Sequence, residues 1–172
     1  MGNKKNIVVV DGEDNLIDNK PREIVDKEKL RYRVTALWLK NSKGESLLAR
    51  RAYTKTHYPG IWGPAVTGTV DEGESYEQNM VKEAEEELGL KNIKLKKGPY
   101  IKINGQYNHF TQWFVLKIDK PVKELKISEE EVVEVKWFSE KELKKELKDN
   151  PKEFVKNMKR YVELFYWSGD NF

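Results

Sequence analysis

The sequence predicts a domain of mixed strands and helices, α+β in class, and three observations predict it. Short β-branched and apolar runs recur at Ile7–Val10, 33–39, 46–52, 107–118 and Val132–Phe138, the pattern of strands buried on one or both faces. An amphipathic stretch with a capping residue at each end, Ser75 and Gly89, lies among them. From Asn150 onward, aromatic and aliphatic residues fall in helical rows.

Taken in order, Ile7–Val10 ends at the turn pair Asp11-Gly12, and residues 15–17 are placed to return beside it as a hairpin. Residues 18–30 are highly charged with Pro21 near the front, which suits a loop leading into a short helix. Residues 33–39 resume a strand, Lys43-Gly44 turns it, and 46–52 returns; the apolar content of this pair predicts central strands with both faces covered. Next comes RRAYTKTHYPGIWGPAVTG, rich in Gly, Pro and aromatics, and a loop of this kind is where ligand groups are usually found. Arg50, Arg51 and Lys55 are candidates to meet phosphate oxygens, with Lys55 ahead of the arginines. Tyr53 and Trp62 are candidates to cover a planar or apolar group, although Trp62 reads first as a core residue.

The stretch GTVDEGESYEQNMVKEAEEELGL is a turn, a loop and then a helix. Ser75 is a natural N-cap, and Gly89 sits where a left-handed C-cap belongs. At about 100° per residue, Val81, Ala84 and Leu88 share one side with Met80 at its margin, and Glu83, Glu86 and Glu87 gather on the other. Carboxylates spaced i, i+3 and i+4 repel one another, so the isolated helix gains nothing from them unless Lys82 and solvent relieve the face. A hard divalent cation such as Mg²⁺ or Mn²⁺ reverses that sign, because closely spaced carboxylate oxygens are what it binds.

Beyond the helix, residues 99–103, a turn at Asn104-Gly105 and residues 107–118 read as a hairpin whose tip carries His109, taken as a surface residue without metal partners. Residues 120–126 form a charged link to the strand Val132–Phe138, and Ser139 with Glu142 makes a capping box for the next helix. A last helix, residues 151–167, opens at Asn150-Pro151 and carries Phe154, Met158, Tyr161, Val162, Phe165 and Tyr166; it is expected to pack on the sheet and to offer a candidate homodimer contact.

Composition narrows the function classes. In 172 residues, 35 % are charged yet the net charge is only +3, which gives no nucleic-acid signature. There is no cysteine, so thiol and disulfide chemistry are excluded. No apolar run is long enough to span a bilayer and no secretory core opens the sequence, so a cytoplasmic protein without membrane partners is expected, as one domain over residues 1–172 with its core at about 5–145.

The segment 68–90 resembles the signature of the Nudix (MutT-like) hydrolases, G-x5-E-x7-R-E-U-x-E-E-x-G-U with U a bulky aliphatic residue. Gly68, Glu74, Glu83, Glu86, Glu87, Gly89 and Leu90 fall on its fixed positions, Ala84 stands at the first U, and Lys82 replaces Arg. Lysine keeps the charge but loses the planar fork that pairs with neighbouring glutamates. The resemblance implies an α/β/α sandwich around a mixed sheet, Mg²⁺ or Mn²⁺ held by Glu83, Glu86 and Glu87 with the Gly68 carbonyl, and attack of water on a diphosphate. It implies a pyrophosphohydrolase acting on a nucleoside diphosphate linked to another moiety, or on a related organic diphosphate. One of the glutamates, or Glu131 with Glu134 as its alternative, would take the proton, while Glu74 and Lys82 hold loop and helix together. The run from Arg50 to Ser75 also resembles isopentenyl-diphosphate isomerase, but that enzyme's cysteine is missing and no histidine precedes His57. A Nudix-fold module that binds a nucleotide or protein partner without turnover is the alternative; Lys82 favours it and the intact carboxylate set opposes it.

Overall fold

The computed structural model describes residues 5–166. Its strands are β1 (Ile7–Val10), β2 (Leu16–Lys20), β3 (Arg31–Lys40), β4 (Ser46–Arg51), β5 (Trp62–Pro64), β6 (Val66–Thr69), β7 (Lys96–Ile103), β8 (Asn108–Lys117) and β9 (Val132–Phe138). The helices are α1 (Arg22–Glu28), α2 (Tyr76–Leu88), α3 (Glu140–Asp149) and α4 (Met158–Tyr166).

Strand β3 is the hub. Along one edge it pairs in parallel with β8 over its whole length, from Arg31↔Asn108 to Lys40↔Lys117. On its other edge three antiparallel partners share the backbone: β1 at Tyr32, β6 from Val34 to Leu37, and β4 at Leu39 and Lys40. Strand β4 then diverges to pair with β5 and β9. Alternation along β3 and β8 sends Leu37, Leu39, Phe114 and Leu116 into one core and Ala36, Trp38, Trp113 and Val115 into another. Helix α2 covers the first with Met80, Ala84 and Leu88. Helices α3 and α4 cover the second with Leu143, Met158, Val162 and Phe165. The mixed sheet is thus sandwiched between helices, as expected.

Four details depart from the sequence reading. Strand β2 runs on to Lys20, because its pairing with β1 (Ile7↔Lys20, Val8↔Asn19, Val9↔Asp18) holds charged residues that looked like a loop. The apolar stripe of α2 is rotated: Met80 is fully buried and Val81 is 37 % exposed, since close docking on β6 sets the phase of the helix. Ser139 accepts from the Glu142 backbone at 3.2 Å, but the Glu142 carboxylate turns to Lys136 at 2.7 Å, so only half of the capping box forms.

The last helix is broken. A single 3-10 turn at Pro151–Glu153 is followed by extended Phe154, which bridges to Trp62 while Val155 N donates to the Trp62 carbonyl at 2.9 Å; α4 starts only at Met158. Phe154 packs edge-on against Phe138, and this tertiary contact outweighs helical continuity. The apolar row of α4 is spent on the sheet, with Phe165 stacked on Trp38 at 4.6 Å. Residue 167, the end of the expected helix, lies outside the described residues. Among the described residues no helix is long and apolar enough to cross a membrane.

Candidate active site

Helix α2 owes its position to local chemistry at both ends. Ser75 Oγ accepts from Gln78 N and Gln78 Oε1 accepts from Ser75 N, a reciprocal N-terminal cap. At the other end Gly89, at φ 65°, lets the chain turn left-handed while Gly89 N and Leu90 N donate to the last carbonyls. Gly68 on β6 permits the approach of helix to sheet: a Cβ there would lie 2.4 Å from Glu83 Cγ and 2.5 Å from Asn79 Oδ1.

Asn79 ties this junction together. Buried beneath the helix, it accepts from the Thr35 hydroxyl at 2.5 Å and donates to the Thr69 carbonyl, Glu74 and Glu83 at 3.0, 2.9 and 3.3 Å. Lys82 joins the same network, donating to Asp71 Oδ2 at 2.7 Å and Glu74 Oε1 at 2.8 Å, with Glu83 Oε1 at 3.4 Å. Burial alone would lower the Lys82 ammonium, but its bonds to Asp71 and Glu74 and the charge of Glu83 prevail and hold it above its usual range. Burial likewise opposes ionisation of Glu74, yet hydrogen bonds from Lys82 and Asn79 hold its carboxyl below the usual value. Lys82 thus bridges three carboxylates, from Asp71 and Glu74 of the loop and Glu83 of α2.

A cavity of about 810 Å³ opens beside this network, and Gly68, Lys82, Glu83, Glu86, Glu87, Glu131, Arg51 and Lys55 all line it. Glu87 is only 7 % exposed. Burial first, then the charges of Glu83 and Glu131, push its carboxyl well up against the pull of Arg51 and Lys55. Burial also raises Glu83, to about 7, despite Lys82 beside it. Among the described residues, neither Glu86 nor Glu87 has a hydrogen bond or ion pair to its carboxylate. Two carboxylates without partners, one of them buried, fit a divalent cation on charge and donor type. Among the described residues no three acidic or histidine side chains already converge as a cation cage: Glu83 is drawn to Lys82 and Asn79, and Glu131 to Lys55 at 2.5 Å.

The other candidates are scattered. Gly89 caps the helix outside the cavity lining. Arg50 donates to the Gly60 carbonyl and pairs with Glu153 at 2.8 Å, and Glu134, its cross-strand neighbour, is exposed; neither lines the cavity. Trp62 is buried edge-on against Phe138, so its first reading, as core, is the one the fold realises. Tyr53 is 65 % exposed, lies over Gly60 and is not among the residues that line the cavity. The alternation of β4 explains the split between the two arginines, which project to opposite faces of the strand.

Sequence reasoning missed one whole wall. Arg22, Glu23 and Asp26 of α1 line the cavity, with Arg22 clamped by Asp26 at 3.0 Å and by Thr69 Oγ1 at 2.9 Å. His57 lines it too, 3.6 Å from Asp26, and burial and then Arg22 hold its imidazole below the usual pKa. Nothing in the local pattern of residues 18–30 marked a site; only the charged character of α1 could have hinted at it. His109 is also not a surface residue: it is half-buried against Tyr32, bonded to Thr111, and burial with Arg22 and Arg31 lowers it to about 4. It lines a second cavity of about 370 Å³, which shares Arg22, Arg51, His57, Thr67, Gly68 and Thr69 with the first.

Comparison with known proteins agrees with the signature. A family model described as NUDIX domain matches residues 29–158. An uncharacterized Nudix hydrolase of Pseudomonas aeruginosa is 38% identical over 90 residues, 52% of this chain and 53% of that protein. An isopentenyl-diphosphate Delta-isomerase of Escherichia coli is 42% identical over 53 residues, 31% of this chain and 29% of that one. The chain spans about half the length of the first curated relatives it matches. Among solved structures, a Deinococcus radiodurans protein superposes with a TM-score of 0.81 at 20% identity, covering 94% of this chain and 99% of that one.

Proposed function

Since the chain belongs to the Nudix family, we propose that it is a metal-dependent pyrophosphohydrolase cleaving a diphosphate linkage in a nucleoside diphosphate joined to another moiety, or in a related organic diphosphate. One observation carries the reading: the carboxylates of Glu83, Glu86, Glu87 and Glu131 face the same cavity as Arg51 and Lys55. A bound Mg²⁺ or Mn²⁺, held by Glu83, Glu86 and Glu87 with the Gly68 carbonyl, would supply charge neutralisation at the diphosphate and a more acidic water.

The chain's own groups do the rest. Arg51 is fixed through Nε by the His57 carbonyl at 2.9 Å and donates through Nη1 to Thr67 Oγ1 only at 3.5 Å, which leaves Nη2 for a phosphate oxygen. Lys55 is a movable cation whose present partner is Glu131; an incoming phosphate competes for it and frees that carboxylate to accept a proton from water. Lys82, Glu74 and Asn79 keep α2 at the distance from β6 that this geometry needs. The isomerase alternative is disfavoured, because no cysteine exists to carry its chemistry.

Lys82 in place of the family's arginine, and carboxylates that do not converge as a cage among the described residues, favour the alternative of a non-catalytic module that binds a nucleotide or protein partner. The test is phosphate release from a panel of nucleoside diphosphate conjugates and triphosphates with Mg²⁺ or Mn²⁺, comparing wild type with Glu86→Gln. Metal-dependent turnover that falls on the order of 100-fold or more in the variant supports the hydrolase. Equal inactivity of both proteins, with nucleotide still bound, supports the module.

A further inference from the structure

Besides its carboxylates, helix α2 buries one polar side chain completely, Asn79, and the donors of Asn79 and Lys82 match the acceptors around them in number. Lys82 brings three N–H groups and the Asn79 amide brings two. Five oxygens receive them: Asp71 Oδ2, both carboxylate oxygens of Glu74, the Thr69 carbonyl and Glu83 Oε1. The short bonds of the ammonium go to the loop, at 2.7 Å to Asp71 and 2.8 Å to Glu74, while Glu83 Oε1 stays at 3.4 Å. The Asn79 amide gives that same oxygen a hydrogen bond at 3.3 Å. Glu83 Oε2 has no donor among the described residues.

The amide can point only one way. Thr35, fully buried on β3, donates its hydroxyl to Asn79 Oδ1 at 2.5 Å, and a reversed amide would set that oxygen against the Thr69 carbonyl and two carboxylates. Asn79 thus connects the hub strand of the sheet to Glu83.

We propose that Asn79 is a positioning residue for Glu83: together with Lys82 it holds Oε1 and so leaves Oε2 to the cation. The assignment rests on Glu83 being a metal ligand, as in the hydrolase reading. Lys82 alone does not suffice, because its hydrogen bonds are taken up by Asp71 and Glu74. Lys82→Arg would bring five N–H groups in place of three, and so returns in number the two that Asn79→Ala removes.

The test is titration of the full chain with Mn²⁺ in the absence of substrate, followed by electron paramagnetic resonance of the unbound ion, with the thermal midpoint read on the same samples. Asn79→Ala should weaken Mn²⁺ roughly 10-fold or more and lower the midpoint. Adding Lys82→Arg to Asn79→Ala should bring the affinity back to within about 3-fold of wild type. The midpoint should stay low, because the bond from Thr35 and the volume of the amide remain lost. Thr35→Val keeps the shape of its side chain but lets the amide turn; it should weaken Mn²⁺ roughly 3-fold or more, and it decides the matter where Asn79→Ala does not fold. A role in folding alone predicts an affinity that follows the midpoint in every variant. Unchanged affinity in Asn79→Ala or in Thr35→Val, or a loss that the added Lys82→Arg leaves uncorrected, overturns the proposal. Glu83→Gln separates it from the reading beneath it: if that variant binds Mn²⁺ as tightly as wild type, Glu83 is no ligand and both fall. If Glu83→Gln weakens Mn²⁺ and Asn79→Ala does not, the positioning falls and the ligand set stands. Losses in both, in a protein that turns over no diphosphate, support the positioning and count against the hydrolase.

Discussion

Replacing Lys82 with methionine keeps much of the side chain's length and removes its charge. The ammonium has carboxylate oxygens at 2.7, 2.8 and 3.4 Å, from side chains that are 18–19 % exposed, and is itself 24 % exposed. At an effective dielectric near 20 each contact is worth roughly 5 kcal/mol gross. Most of that offsets desolvation, and removing one partner of a buried pair typically costs about 3–5 kcal/mol. The residual solvent access brings the expected loss to about 3 kcal/mol at pH 7. Sign fixes the pH course. The lowered carboxyl of Glu74 contributes stability above its ordinary 4.5 that is lost as pH falls through its depressed value. The raised Lys82 contributes fully below its ordinary 10.5 and fails only as pH rises past its elevated value. Glu83 runs the other way, costing stability as pH climbs from 4.5 to about 7, and costs more once Lys82 is gone. Urea denaturation should therefore show a deficit that is largest between about pH 7 and 10 and shrinks as pH falls through the depressed value of Glu74, with Lys82→Arg close to wild type. A loss under about 1 kcal/mol at pH 7, or one independent of pH, would refute the bridging role.

Gly68→Ala places a methyl against Glu83 and Asn79 and should destabilise by about 1–3 kcal/mol while displacing α2, read as a lowered urea midpoint together with lost turnover. His109, lowered to about 4, takes up its proton in the unfolded chain first, so stability is lost as pH falls from 6.5 toward 4. His109→Gln should therefore lose about 2 kcal/mol less than wild type between pH 7 and 4.5 in matched urea titrations. Tyr58→Gly should gain about 0.5–1 kcal/mol in the same assay, by relieving the left-handed backbone.

What the sequence made legible was local. Ser75, Gly89 and the spacing from Gly68 to Leu90 specify a helix and its loop through bonds between near neighbours, and the structure forms them where expected. The gathering of Glu83, Glu86 and Glu87 on one cavity followed from helical geometry alone. The phase of α2 did not, because Val81 and Met80 compete for the same wall and docking on β6 chooses between them. Asn79 was silent as one polar residue among many, and its role exists only once Thr35 and Thr69 are beside it. Arg22 and His57 reach the site across the sheet, and the break at Phe154 depends on Trp62, far back in the chain. Such contacts leave no periodicity to read.

The parallel register between β3 and β8 has a kinetic consequence. Helix α2, the end of β4 that bears Arg51 and the loop that bears Lys55 lie between those strands in sequence, and Glu131 follows them. Closing that long loop costs entropy before any strand contact rewards it, so this pairing is a slow event in folding. During synthesis, the capped helix can form as soon as it emerges, but its carboxylates then face solvent with no opposing cations fixed in place. The cavity wall that carries Glu131 is in place only once β9 has been made and has docked on β4. A nascent chain that ends before β9 therefore carries the whole signature and lacks one wall of its cavity.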